Sequence, residues 1–216
     1  MKKKSLLILV QHFSITNSGS NNPYVTFQKK LSDTEVNPKE IIQQAYDVVQ
    51  RDQVKGGTTI LLGVLGEKKL KIASLGDCGL LILRNKKVVF KTKEQHHSFN
   101  FPFQLGLTTR SLPEEALPYD VDIQEDDIIL AGSDGFFDNL FEDQILEIIE
   151  EFIGNKKLSE LDPSDLCRKL LKEASYVARN TTISSPFEAI AVQHGIEFKG
   201  GKMDDISLIV AFVESS

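Results

Sequence analysis

Five aspartates stand where an apolar run meets a turn, each with glycine close by. Asp77 follows Ile72-Ala73-Ser74-Leu75-Gly76. Asp134 follows Ile128-Ile129-Leu130-Ala131-Gly132-Ser133, and Asp138 comes four residues later. Asp204 and Asp205 follow Gly200-Gly201-Lys202-Met203 and precede a final apolar run. Clustered carboxylates at strand ends suit Mg²⁺ or Mn²⁺, hard cations that prefer oxygen donors in near-octahedral geometry. Two such ions a few ångströms apart lower the pKa of a shared water and clamp the attacking and leaving oxygens of an in-line phosphoryl displacement, so no side-chain nucleophile is needed. Taken singly, Asp134-Gly135 or Gly76-Asp77-Cys78-Gly79 reads as a turn, and Asp204-Asp205 as a charged strand entry. The order in which they occur carries the signal.

In that order, Gly76-Asp77-Cys78-Gly79, Ser133-Asp134-Gly135-Phe136-Phe137-Asp138-Asn139 and Gly200-Gly201-Lys202-Met203-Asp204-Asp205-Ile206-Ser207 resemble the metal-dependent type 2C (PPM) protein phosphatases. Gln95-His96-His97-Ser98-Phe99-Asn100-Phe101-Pro102-Phe103-Gln104-Leu105 and Ser185-Pro186-Phe187 resemble segments of the branch that includes the eukaryotic mitochondrial member. The resemblance runs over about residues 40–213 and implies a single domain over 1–216. It implies an α+β fold, a four-layer α-β-β-α sandwich of antiparallel sheets. It also implies Mn²⁺ or Mg²⁺ as cofactor, two ions in the family. The implied reaction is hydrolysis of phosphoserine and phosphothreonine in a phosphoprotein substrate by a metal-activated water, with no catalytic side chain. By the same resemblance Asp134 and Asp204 are metal ligands, Asp205 falls where many members have asparagine, and Asp77 and Asp138 join Asp134 around a third, weaker metal. The family's first motif is a further Asp-Gly whose aspartate bridges two metals. This chain has one Asp-Gly, Asp134-Gly135. The expectation is therefore a phosphatase domain incomplete at its N-terminus; the alternative is a pseudophosphatase, a binding or regulatory module without turnover.

The elements that must position these residues follow from periodicity. Ile41, Ile42, Ala45, Val48 and Val49 recur at helical spacing behind Pro38, predicting a helix over 38–54. Strands are expected at 58–65, 70–75, 80–83 and 88–91. The connections between them, at 66–68, 76–79 and 84–86, are hairpin-sized, so sequential neighbours should pair antiparallel. Residues 93–118 read as irregular and 14–23 as loop. Strands resume at 121–123 and 128–131. Leu140, Phe141, Ile145, Ile148, Ile149 and Phe152 form one helical stripe. Asp162-Pro163-Ser164-Asp165 opens a second helix through Val177. A short helix at 187–193 and a strand at 206–213 complete the reading. Residues 60–65, 80–83 and 208–213 barely alternate apolar with polar, so those strands should be covered on both faces. That calls for helices on sheets.

Composition narrows the classes. The 216 residues are 41% apolar and 26% charged with net charge −6, an ordinary globular balance with no nucleic-acid footprint. Residues 114–162 hold 16 of the 31 acids against two lysines, a field that attracts cations or a pair of solvated faces. Two cysteines, Cys78 and Cys167, exclude a disulfide scaffold or a zinc cluster. They fit a reducing, intracellular compartment, cytoplasmic or mitochondrial. No apolar run reaches a membrane span. Lys2-Lys3-Lys4 before Leu6–Val10 imitates a signal peptide, but five apolar residues are too short for one, and a buried strand or helix turn is expected. His96 and His97 read as structural or surface residues and the phenylalanines at 99–103 as core-edge plugs. Gly56-Gly57-Thr58-Thr59 precedes a strand and so is no phosphate loop. The sequence leaves the oligomeric state open.

Overall fold

The computed structural model describes residues 36–66 and 68–214, together with the backbone of 7–14. In chain order the elements are β1 (Leu7–Ser14), α1 (Pro38–Arg51), β2 (Gly57–Leu65), β3 (Lys69–Leu75), β4 (Gly79–Arg84), β5 (Lys87–Lys91), β6 (His96–Ser98), β7 (Phe101–Pro102), β8 (Leu105–Gly106), β9 (Leu117–Asp122), β10 (Ile128–Gly132), α2 (Asp134–Phe137), α3 (Glu142–Ile153), α4 (Pro163–Ala178), α5 (Pro186–Gln193) and β11 (Leu208–Phe212). They fall into two compact units. One holds residues up to Asp77 together with Glu94–Asp122; the other holds Cys78–Lys93 and Ile123 onward.

In the first unit, β1, β2, β3 and β9 form an antiparallel sheet in that order, with β8 on the opening residues of β2. Because successive strand residues face opposite ways, Ile60, Leu62, Val64, Ala73 and Leu75 meet Ile41 and Ile42 of α1. Leu61, Leu70 and Ile72, on the opposite face, are buried too. The unbroken apolar run of β2 thus has its physical reason. Pro38 starts α1 and Asn37 caps it, its side chain accepting the Lys39 N–H at 3.0 Å. The helix stops at Arg51 rather than 54, since Gln53 turns to φ 52°. Leu7–Val10 lie in β1, paired along the edge of β2 from Leu7↔Val64 to Ser14↔Gly57. The stretch expected as loop lies outside the described residues apart from Ser14, which is strand.

In the second unit, the sheet order is β11-β10-β4-β5, again antiparallel. Leu81, Leu83, Ile128 and Leu130 face Ile145 and Ile149 of α3 and Leu166, Leu170, Ala174 and Val177 of α4. Each such fully buried side chain contributes roughly 1.5–3 kcal/mol relative to exposure. The central strand β10 is buried throughout. The strand β11 is only half-buried, because it is an edge strand; its apolar run overstated its burial. It begins at Leu208 rather than 206 because Ser207 is held elsewhere, its N–H donating to Ser133 Oγ at 3.0 Å. Arg84 grips the fully buried Asp127 through two 2.7 Å hydrogen bonds.

One expected hairpin is absent. Strands β3 and β4 belong to different sheets, so Gly76-Asp77-Cys78-Gly79 carries the chain from one sheet to the other. Gly76 makes the turn at φ +101°, and a Cβ there would lie 2.5 Å from Thr59 and 2.7 Å from the Phe103 carbonyl. Residues 93–118 are less irregular than expected, containing the short pair β6–β7 and the start of β9.

Candidate active site

The site forms where β10 ends. Ser133 leaves the sheet and Asp134 opens the single helical turn α2. Ser133 ties this corner to the segment before β11: its Oγ donates to the Asp205 carbonyl at 3.0 Å and accepts the Ser207 N–H. Gly135 is required by close approach. A Cβ there would sit 2.6 Å from the Asp205 carbonyl oxygen and 3.2 Å from Asp204 Cβ. The glycine of the Asp-Gly pair thus lets the 204–205 backbone lie against α2.

Two residues that sequence reasoning missed complete the clamp. Asn139, fully buried, donates from Nδ2 to the carbonyls of Gly135 at 2.8 Å and Lys202 at 2.9 Å, and its Oδ1 accepts the Lys202 N–H at 2.9 Å. Lys202 then points its ammonium into the acids. Its Nζ lies 2.9 Å from Asp134 Oδ2, 2.8 Å from Asp138 Oδ2 and 3.2 Å from Asp204 Oδ2, with the Phe187 ring centroid 5.0 Å away. Burial alone would depress the Lys202 pKa, but the Asp138 and Asp134 carboxylates, by charge and by hydrogen bonding, override it and hold the pKa above the ordinary lysine value. The available signal was position: Lys202 lies between the Gly-Gly and Asp-Asp pairs, and Asn139 directly follows Asp138.

The loop that presents Lys202 is itself pinned. Gly200, at φ +85°, packs where a Cβ would be 2.4 Å from the Asn180 carbonyl. Its carbonyl accepts from Ser185 Oγ at 2.6 Å, and its N–H donates to Glu188 at the start of α5. The Phe187 N–H donates to the Asp138 carbonyl at 3.1 Å.

Of the sequence-predicted residues, Asp134, Asp138 and Asp204 are brought onto one point. Asp205 is exposed, and only its backbone engages the site. Asp77 ends the first unit's β3 region, buried, with His96 Nε2 3.8 Å from its carboxylate. His97 is structural as expected, stacked on Phe103 at 4.1 Å between centroids and 3.2 Å from Ser111 Oγ. Phe101 is half-exposed rather than a plug. The Cys78 thiol is buried, and burial raises the pKa of the Cys167 thiol.

A divalent ion fits the donor chemistry here. Three carboxylate oxygens already surround one cationic centre, the lysine ammonium standing in for an ion. Their present arrangement is that of an ammonium cage; among the described residues no three His, Cys, Asp or Glu side chains are set at metal-holding positions.

Comparison with known proteins shows the family. The stage II sporulation protein E (SpoIIE) family model matches residues 22–183. A chain from Arabidopsis thaliana, "Probable protein phosphatase 2C 80", is 30% identical over 190 residues, 88% of this chain and 44% of its own length. The chain belongs to the type 2C protein phosphatase family. "Protein phosphatase PTC7 homolog fig" of Drosophila ananassae is 33% identical over 82% of this chain and 57% of its own length. The type 2C chain described here thus spans between a quarter and somewhat over half the length of such relatives. The X-ray structure of the photosystem II phosphatase PBCP superposes with a TM-score of 0.71 at 32% identity, covering 82% of this chain and 71% of that one. The catalytic domain of the phosphatase PstP, solved with two manganese ions, shares the fold at 13% identity, with a TM-score of 0.59 over 98% of this chain and all of that one.

Proposed function

We propose that this chain acts on phosphoserine and phosphothreonine in proteins as a type 2C phosphatase dependent on Mn²⁺ or Mg²⁺. The observation that carries the reading is the convergence of Asp134, Asp138 and Asp204 on one cationic centre. Family membership and the two manganese ions of the PstP structure support it. Asp134 and Asp204 would hold the ion, and Asp138 would join Asp134 around a weaker one. When bound, such ions supply Lewis acidity and lower the pKa of an attacking water. The chain's own contribution is positional. Asn139 fixes the spacing between α2 and the Lys202 loop, Ser133 fixes that between β10 and Asp205, and Gly135 allows both backbones to close. No side chain of this cluster is needed as a nucleophile.

The resemblance further supports a four-layer sandwich forming one domain, Asp77 as a ligand of a weaker ion, and the mitochondrial-type branch. A cytoplasmic or mitochondrial address is supported by two cysteines that form no disulfide with each other.

The test is Mn²⁺-stimulated release of phosphate from a phosphothreonine peptide, wild type against Asp134→Asn and Asp204→Asn. The expected result is turnover in wild type and a loss of at least about a hundredfold in each variant. Wild-type protein that binds Mn²⁺ without turnover would favour the pseudophosphatase reading instead.

A further inference from the structure

Resting on that reading of the site, we propose that Lys202 is a tethered counter-ion that holds the metal cage closed until a divalent cation displaces it. Its Nζ touches three carboxylates at 2.8–3.2 Å, filling the space that an ion drawn to the same acids would have to enter. Both cannot occupy it. Without any cation, Asp134, Asp138 and Asp204 would repel one another in a largely buried corner, a costly arrangement. The ammonium removes that repulsion and keeps the acids aimed inward.

The tether makes the competition strong. Lys202 sits two residues before Asp204 on a loop pinned at Gly200 and at its own backbone by Asn139. Its ammonium is therefore held at high effective concentration beside the acids. Only the flexible four-carbon stem must move for it to leave, and the Phe187 ring steadies it while it stays. A divalent ion wins because it offers three carboxylates twice the charge at shorter distance. The metal-free protein is thus pre-assembled at the expense of metal affinity, and the site opens only at ion concentrations high enough to evict the lysine.

Two measurements test this. In the first, Mn²⁺ binding is followed by calorimetry for wild type, Lys202→Gln and Asp134→Asn. Lys202→Gln should bind about tenfold more tightly than wild type, while melting at a lower temperature without Mn²⁺ and recovering with it. Equal or weaker binding by Lys202→Gln, with wild type still binding, overturns the counter-ion role and leaves the metal site standing. Absence of Asp134-dependent Mn²⁺ binding in both proteins overturns the metal reading itself, and this inference with it. The second measurement uses the wild-type chain alone, so a misfolded variant cannot obscure the outcome. An amine-reactive acylating reagent, read by mass spectrometry at Lys202, should label it slowly without Mn²⁺ and several-fold faster at saturating Mn²⁺. Labelling that is unchanged or slowed by bound Mn²⁺ overturns the displacement.

Discussion

Replacing Asn139 by alanine removes three hydrogen bonds that join α2 to the Lys202 loop. The buried Gly135 carbonyl and the part-buried Lys202 carbonyl and N–H lose this partner, so Asn139→Ala should cost about 2–3 kcal/mol, read as a shift in the urea midpoint. Gly135→Ala probes the same corner by crowding. A Cβ 2.6 Å from the Asp205 carbonyl forces the 204–205 backbone away, and the expected loss is about 1–3 kcal/mol together with weaker Mn²⁺ binding by calorimetry. At this scale the acids were legible in the sequence because carboxylates beside glycines at strand ends are a pattern in chemistry and position. Asn139 and Lys202 were not. An asparagine's three partners 4 and 63 residues away leave no local trace, and a lysine in a loop looks like any solvated charge. Only the folded chain shows that its ammonium is directed inward.

Helix caps set the predictions that belong to elements. Asn37→Ala should destabilise by about 1 kcal/mol, measured by thermal unfolding, because it deprives the Lys39 N–H of its acceptor. Asp162 caps α4 by accepting the Ser164 N–H at 2.8 Å, and that hydrogen bond holds its carboxyl below the usual range. A depressed folded pKa gives stability above the unfolded value, about 3.9, and loses it as pH falls through the folded one. Asp162→Ala should therefore be less stable than wild type at pH 7, with the gap narrowing in acid below pH ~4; denaturation midpoints at several pH values read it. The amphipathic helices α1, α3 and α4 were readable because burial of one face imposes a period. The β3–β4 connection was misread for a definite reason. Four residues can close a hairpin or carry the chain to another sheet, and what decides is β10, which pairs with β4 some fifty residues later. No local signal at 76–79 encodes that partner.

For the whole molecule, β1 matters beyond its length. It covers the edge of β2 from Gly57 to Val64, a strand whose residues 59–64 are all buried. Deleting residues 1–14 bares those backbone groups, and an open edge templates pairing between chains. Light scattering at matched concentration should show self-association in the shortened protein and not in the parent. The chain's path has a further consequence. It quits the first unit at Asp77, returns at Glu94 and departs again after Asp122. The piece from residue 123 onward would lack β4 and β5, leaving β10 without a neighbour on one side. Neither unit can thus be inherited, spliced out or synthesised as one uninterrupted stretch. A ribosome must pass β10 before the earlier β4 has a central strand to pair with, so this sheet cannot close during translation until Gly132 has been added.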